Sequence, residues 1–138
     1  KLSLWMIGIG FLLQFFDMGM KFVKNRDTVD PVMPYHRYYV KTLKNYIYKK
    51  RVLDIGCWTG PIESLLYKED CHVTGIDIEN EPIEFDKKKY PKFRFVKTSI
   101  LEKTPFKKNE FDLVIFSMVI EHIPPGTEKK ALKNIESP

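Results

Sequence analysis

An aspartate and two glycines are spaced in this sequence as they would be in a loop that binds a nucleotide-like ligand. Residues 52–60 read VLDIGCWTG: an apolar run reaches Asp54, and Gly56 and Gly60 follow. Gly56 allows a sharp turn, and a helix opening at Gly60 would present free amides to a negative group. A dinucleotide loop would need the spacing G-x-G-x-x-G, whereas here Trp58 lies between two more widely spaced glycines. We therefore expect a loop for a zwitterion, with an ammonium near Asp54 and a carboxylate near the amides.

Three later apolar runs also end in polar residues. Asp77 ends the run VTGID, where a carboxylate can accept hydrogen bonds from both hydroxyls of a ribose, although a helix cap or a salt bridge is the alternative. The other polar groups lie in residues 98–100 and 117–122. In the last stretch, Glu121 and His122 are candidates for acid–base chemistry, or else a helix-start carboxylate and a hydrogen-bonded histidine.

An alternation of strands and helices is the scaffold that would position these residues. Apolar runs predict strands over residues 51–55, 72–76, 93–96 and 111–118, and helical spacing predicts helices over residues 35–48, 61–68, 81–89 and 127–135. Strands that are apolar on both faces and separated by helices indicate an α/β fold with a doubly wound parallel sheet. In the order 3-2-1-4, counted along the chain, ligands bind beside the first and fourth strands, where the order reverses.

The fourth predicted strand would be an open edge of this sheet. Residues 111–118, FDLVIFSM, are the most apolar of the four strands, and an exposed apolar edge invites pairing with another chain. Two explanations follow: the domain is truncated after its fourth strand, or a partner covers the edge, as in a homo-oligomer.

An apolar segment, residues 1–34, precedes the predicted domain of residues 35–138. Residues 2–20 carry a single charge, Asp17, and basic residues flank them. The strongest apolar run is shorter than the roughly 20 residues that span a bilayer. Three interpretations stay open: a helix packed on the domain or on a partner, membrane association through residues 2–20, and a remnant of processing.

Composition narrows the class of protein. The net charge of +5 comes mostly from lysines that are scattered rather than clustered, which does not favour a nucleic-acid partner. Cys57 and Cys71 have no metal-ligand spacing, so no zinc site is expected. Two unpaired cysteines fit a reduced, cytoplasmic interior, with membrane association as the open addition.

Three motifs in order, VLDIGCWTG, VTGIDIE and FDLVIFSMVIEHI, resemble those of the class I S-adenosylmethionine-dependent methyltransferases. The likeness covers about residues 50–135 and is greatest to the small-molecule branch that includes ubiquinone-biosynthesis enzymes. It implies that residues 35–138 are the N-terminal part of a Rossmann-like methyltransferase domain with S-adenosylmethionine as cofactor. It also implies methyl transfer by in-line displacement to a small-molecule or lipid-linked acceptor.

The resemblance assigns roles to the motif residues. Asp54 and the two loop glycines would line the methionine end of the cofactor, Asp77 would bind the ribose, and Ile78 would pack against the adenine. Ser99 takes the position at which the family often has an aspartate, so we expect weaker binding that Ser99→Asp would improve. The expected cofactor-binding residues are Asp54, Gly56, Cys57, Trp58, Gly60, Asp77, Ile78, Ser99, Ile100 and Ser117.

Expectations about catalysis are less specific. Glu121 and His122 are the catalytic candidates because they follow the fourth strand, where the resembling branch has its acceptor region. Trp58 would either pack against the N-terminal helices or form a wall of the cofactor or acceptor pocket. His36 and Tyr38 could close over the cofactor as a lid. A non-catalytic domain that binds S-adenosylmethionine or a partner is the alternative function, and an NAD-binding domain is disfavoured by the glycine spacing.

Overall fold

The computed structural model describes residues 4–8 and 32–136 of the 138-residue chain. The strands are β1 (Leu4–Gly8), β2 (Arg51–Ile55), β3 (His72–Asp77), β4 (Arg94–Lys97) and β5 (Leu113–Ser117). The helices are α1 (Pro34–Ile47), α2 (Pro61–Leu66), α3 (Asn80–Lys89) and α4 (Glu128–Glu136), and a 3-10 turn spans Ile120–His122.

All described strands form one parallel sheet in the order β1-β5-β2-β3-β4. The predicted α/β fold and the relative order of the four predicted strands are confirmed. From β2 the chain adds β3 and β4 on one side, and β5 then pairs with the other side of β2. The strand order therefore reverses between β2 and β5, and a ligand crevice is expected at the carboxyl ends of these two strands.

The N-terminal strand β1 corrects the sequence-based expectation at the edge of the sheet. Leu4–Gly8 pairs with β5 in parallel, from Leu4 against Leu113 to Gly8 against Ser117, so β5 is not an open edge. Of the three interpretations of the N-terminal segment, a helix does not apply to these five residues, which form a strand. A short apolar run is compatible with a buried strand as well as with a helix. Without β1, the edge of β5 would have unpaired backbone N–H and C=O groups, and pairing with them favours the strand. Because β1 covers β5, the open edge from which a homo-oligomer was expected is not present among the described residues.

The rest of the apolar segment, residues 1–3 and 9–31, lies outside the described residues, as does most of the stretch expected to reach a membrane. Among the helices of the described part of the chain, none has the length and apolar character needed to cross a bilayer.

Two hydrophobic layers cover the sheet. The first contains side chains of α1, α2 and α3, including Leu43, Leu66 and Ile83, and the second contains Ala131 and Ile135 of α4. Burying each large aliphatic side chain contributes about 1.5–3 kcal/mol to folding. Side chains alternate along β2: Val52 joins the first layer, while Leu53 and Ile55 join the second. Asp54 has the same parity as Val52 and therefore points toward α2 and α3.

Candidate functional site

The loop after β2 is fixed by hydrogen bonds to β3. Amides of Gly56 and Cys57 both donate to the carbonyl oxygen of Ile76, at 2.8 and 3.0 Å. Gly56 has φ +73°, and a Cβ there would lie 2.5 Å from Cγ2 of Val119. A positive φ and the contact with Val119 both require glycine, so the tip of β5 lies directly against the β2 loop.

Gly60 closes the loop in the left-handed conformation. Its φ is +69°, and its amide donates to the carbonyl oxygen of Cys57 at 2.9 Å. A Cβ on Gly60 would lie 2.5 Å from Cε2 of Tyr90 and 2.9 Å from Oδ1 of Asp86. Helix α2 begins at the next residue and is shorter than the predicted helix over residues 61–68.

Asp77 joins the β2 and β3 loops at the carboxyl edge of the sheet. Its Oδ2 accepts a hydrogen bond from the amide of Trp58 at 3.1 Å, and its Oδ1 accepts one from the amide of Glu79 at 2.9 Å. Each carboxylate oxygen has two acceptor lone pairs, so both can still accept a hydroxyl. Ile78 follows with 63% of its surface exposed. This arrangement fits a ribose at Asp77 with an apolar group beside it.

The side chains of three residues expected to bind the cofactor contact other parts of the protein. Cys57 is 1% exposed, and burial raises the pKa of its thiol far above the usual value. Ile100 is 6% exposed and packs in the core layer of α4. Ser99 Oγ accepts a hydrogen bond from the amide of Leu101 at 3.1 Å. For Cys57 and Ile100 the side chain therefore packs in the core.

The tip of β5 carries the remaining predicted residues. The hydroxyl of Ser117 is buried without a partner in the described structure, and Met118 follows with φ +57°. Glu121 and His122 lie in the 3-10 turn, and both are exposed. They lie at the same edge of the sheet as Asp77 and the β2 loop, because all these residues follow the carboxyl ends of parallel strands.

His36 has a different place from the one expected of a lid. It is 8% exposed at the start of α1, where its Nδ1 accepts a hydrogen bond from the amide of Met33 at 3.1 Å. Burial lowers the pKa of His36. Its side chain thus caps α1, whereas Tyr38 is 65% exposed.

Beneath the loop, the structure buries the expected Asp54 together with two acidic side chains that the sequence did not predict, Glu63 and Asp86. Asp54 is 3% exposed, and Glu63 and Asp86 are 0% exposed. Burial raises the pKa of Asp54 to about 7 and that of Asp86 to about 8, and it raises the pKa of Glu63 well above its usual value. Ile83 and Asp86 of α3 and the residue that caps it, Tyr90, are buried at helical spacing, a signal from which the burial of Asp86 could have been predicted.

Together, a doubly wound parallel sheet, a glycine-turned first loop and an acid at the second strand tip define an α/β domain for a nucleoside-containing ligand. The particular family is clear from comparison: a family model described as Methyltransferase domain matches residues 52–137. The chain therefore belongs to this family, as the resemblance to the class I S-adenosylmethionine-dependent methyltransferases predicted, and the expected family and its cofactor are confirmed. Within the described residues, no group of three or more His, Cys, Asp or Glu side chains could hold a metal ion.

Individual relatives agree with this family. A ubiquinone biosynthesis O-methyltransferase of Haemophilus ducreyi is 30% identical over 94 residues, which cover 62% of this chain and 40% of that protein. The Vibrio cholerae protein of the same name is 27% identical over 97 residues, covering 67% of this chain and 40% of that protein. The chain therefore spans about 40% of the length of the curated relatives it matches.

Solved structures share the fold. A methyltransferase from Archaeoglobus fulgidus is 29% identical with a TM-score of 0.56, covering 74% of this chain and 47% of that one. The PH0226 protein from Pyrococcus horikoshii is 24% identical with a TM-score of 0.61, covering 75% of this chain and 52% of that one. At that identity the second match bears on the fold alone.

Proposed function

We propose that this chain binds S-adenosylmethionine across the tips of β2 and β3 and directs its methyl group to a hydroxyl of a small-molecule acceptor. The observation that carries the proposal is the junction at Asp77, whose carboxylate holds the amide of Trp58 and keeps lone pairs for a ribose. This hydrogen bond connects the β2 loop directly to the acid that would bind the ribose. The relatives named as O-methyltransferases support oxygen as the methylated atom.

The residues of the β2 loop fit the amino-acid end of the cofactor. Gly56 turns the loop with a positive φ and packs against Val119, and Asp54 supplies a carboxyl group beneath the loop. Asp77 would hold the ribose, Ile78 would cover the adenine, and Ser99 would stand near its amino group. The bound cofactor supplies a methyl group that its sulfonium already activates, so the protein's main task is to align the acceptor.

An apolar acceptor surface is proposed at the tips of β2 and β5. Trp58 and Met118 are 46% and 45% exposed, and both have a positive φ, +47° and +57°. Bulky residues in the left-handed conformation cost about 1–2 kcal/mol each, and such strain concentrates at functional sites. Ile120 adds a further exposed apolar side chain at the same edge. These side chains would form the wall against which the acceptor binds.

His122 is the candidate general base. Transfer to a hydroxyl requires the acceptor to lose a proton, and a histidine at the carboxyl edge can take it. The test compares His122→Ala with His72→Ala, a matched control that starts β3 at the opposite edge of the sheet. The measurement is transfer of a radiolabelled methyl group to a panel of phenols and aliphatic alcohols.

We expect the two histidine variants to differ in kcat. His122→Ala should lower kcat by about a hundredfold or more, the usual contribution of general acid–base catalysis, while His72→Ala retains it. Full turnover by His122→Ala at saturating acceptor would rule out the base. Cofactor binding without transfer to any acceptor would instead favour the alternative function, a non-catalytic domain that binds S-adenosylmethionine or a partner.

A further inference from the structure

Glu63 lies beside Asp54 because the neighbouring strand has no side chain between them. In the β2–β3 pairing, Asp54 is in register with Gly75. A Cβ on Gly75 would lie 2.9 Å from Oε1 of Glu63 and 2.9 Å from Sγ of Cys57. Glu63 thus occupies the space that Gly75 leaves open, next to Asp54 on the same face of the sheet.

Two carboxylates cannot form a hydrogen bond to each other, because both are acceptors only. Neither oxygen of Glu63 has a donor among the described residues, and the side chain is fully buried. An ionised carboxylate in that position would be a buried charge without a partner, which is strongly unfavourable. Glu63 is therefore protonated, and its hydroxyl can donate to Asp54.

Among the three buried acids Asp54, Glu63 and Asp86, Asp54 is best placed to carry a negative charge. Asp86 of α3, whose oxygens also have no donor among the described residues, is fully buried against Gly60. Asp77 faces Asp54 from β3, and the thiol of Cys57 is the other titratable group of the loop. Of these three buried acids, neutral Glu63 and Asp86 leave Asp54 to carry the negative charge, directly below the loop that the cofactor would contact.

We propose that Glu63 is a positioning residue, which donates a hydrogen bond from its neutral carboxyl group to Asp54 and holds that carboxylate ready for the cationic end of the cofactor. This inference rests on the proposed function. Its consequence is that cofactor binding improves as the pH rises and Asp54 loses its proton. Removal of the donor would leave Asp54 desolvated without compensation and delay that ionisation to higher pH.

The experiment is calorimetric titration with S-adenosylhomocysteine between pH 5.5 and 8.5. Glu63→Gln keeps a donor of the same length, Glu63→Met keeps the length without the donor, and Glu84→Gln is an exposed acidic control on α3. Comparison at each pH with Glu84→Gln cancels the titration of the ligand itself. Glu63→Gln should bind within about twofold of the control, whereas Glu63→Met should bind about tenfold or more weakly at pH 7. The pH midpoint of binding should rise for Glu63→Met alone.

The outcomes separate this inference from the proposed function. No binding by the wild-type chain contradicts the proposed function and this inference with it. Binding by the wild type with equal affinity and equal pH midpoints for Glu63→Gln and Glu63→Met contradicts the inference alone. If Glu63→Met fails to fold, the pH midpoint of ligand binding by Glu63→Gln is the deciding measurement. A midpoint equal to that of the wild type supports a neutral Glu63. A lower midpoint would show that Glu63 was charged and contradict the inference.

Discussion

Replacing Gly60 by alanine tests how tightly the cofactor loop is packed onto the buried acid group. Gly60 and Gly126 both have a positive φ, +69° and +86°. A Cβ on Gly60 would meet Tyr90 at 2.5 Å and Asp86 at 2.9 Å, whereas a Cβ on Gly126 would meet nothing within 4 Å. Gly126→Ala is therefore a control with the same backbone strain and no steric conflict.

The two substitutions share one cost and differ in another. The left-handed conformation costs an alanine about 1–2 kcal/mol at either position. Overpacking costs a further 1–3 kcal/mol or so at Gly60 alone, because the ring of Tyr90 would have to move. We expect Gly60→Ala to lose about 1–3 kcal/mol more free energy of unfolding than Gly126→Ala.

Urea unfolding followed by far-ultraviolet circular dichroism measures both losses, and calorimetry with S-adenosylhomocysteine measures binding. Gly60→Ala should also bind the ligand more weakly, since its loop is displaced, while Gly126→Ala should bind normally. Equal losses of stability in the two variants would refute the packing of Gly60 against Tyr90 and Asp86.

Three further predictions concern ionisation. Folded Glu63 keeps its proton while the unfolded chain loses it above about pH 4.5, so its contribution to stability falls as the pH rises. Glu63→Gln should therefore gain stability over the wild type between pH 5 and 8, by at most about 1.4 kcal/mol per pH unit, and parallel unfolding curves would contradict this. Cys57 and Cys71 are buried, and burial raises the pKa of both thiols, so a thiol reagent should modify them only after unfolding; rapid reaction of the native chain would show an open loop. Hydrogen bonds from Arg51 hold the pKa of Asp112 below its usual value, so Asp112→Asn should lower stability at pH 7 by less than about 1 kcal/mol. That loss should shrink as the pH falls below about 3.8, where the unfolded chain gains the proton first, and disappear only below the lower pKa of the folded carboxyl; a loss that persists there would show another cause.

The sheet was predictable because its strands are apolar on both faces and end at polar residues. β2, β3 and β5 follow this pattern, and their order follows from the handedness of crossovers. Leu4–Gly8 was not predictable as a strand, since it lies within a longer apolar stretch that has no period to separate strand from helix. The strand at Leu4–Gly8 becomes apparent only in the sheet, where it pairs with β5, which would otherwise be the edge strand.

The site was predictable at its backbone and less so at its side chains. Gly56 and Asp77 occupy the expected strand tips because glycine spacing and a terminal acid report backbone turns directly. Glu63 was missed because an acidic residue in a helix is ordinarily solvent-exposed, and its burial depends on the space left by Gly75 on a strand distant in sequence. Pairwise contacts of this kind leave no periodic signal in a single sequence.

A titration that compares S-adenosylhomocysteine with NAD tests the central claim most directly. Trp58 and the wide spacing of Gly56 and Gly60 leave no loop for a pyrophosphate, and Asp54 lies beneath a loop suited to an amino-acid tail. The account predicts saturable binding of S-adenosylhomocysteine with one site per chain, and no heat of binding for NAD. Binding of NAD without binding of S-adenosylhomocysteine would contradict it.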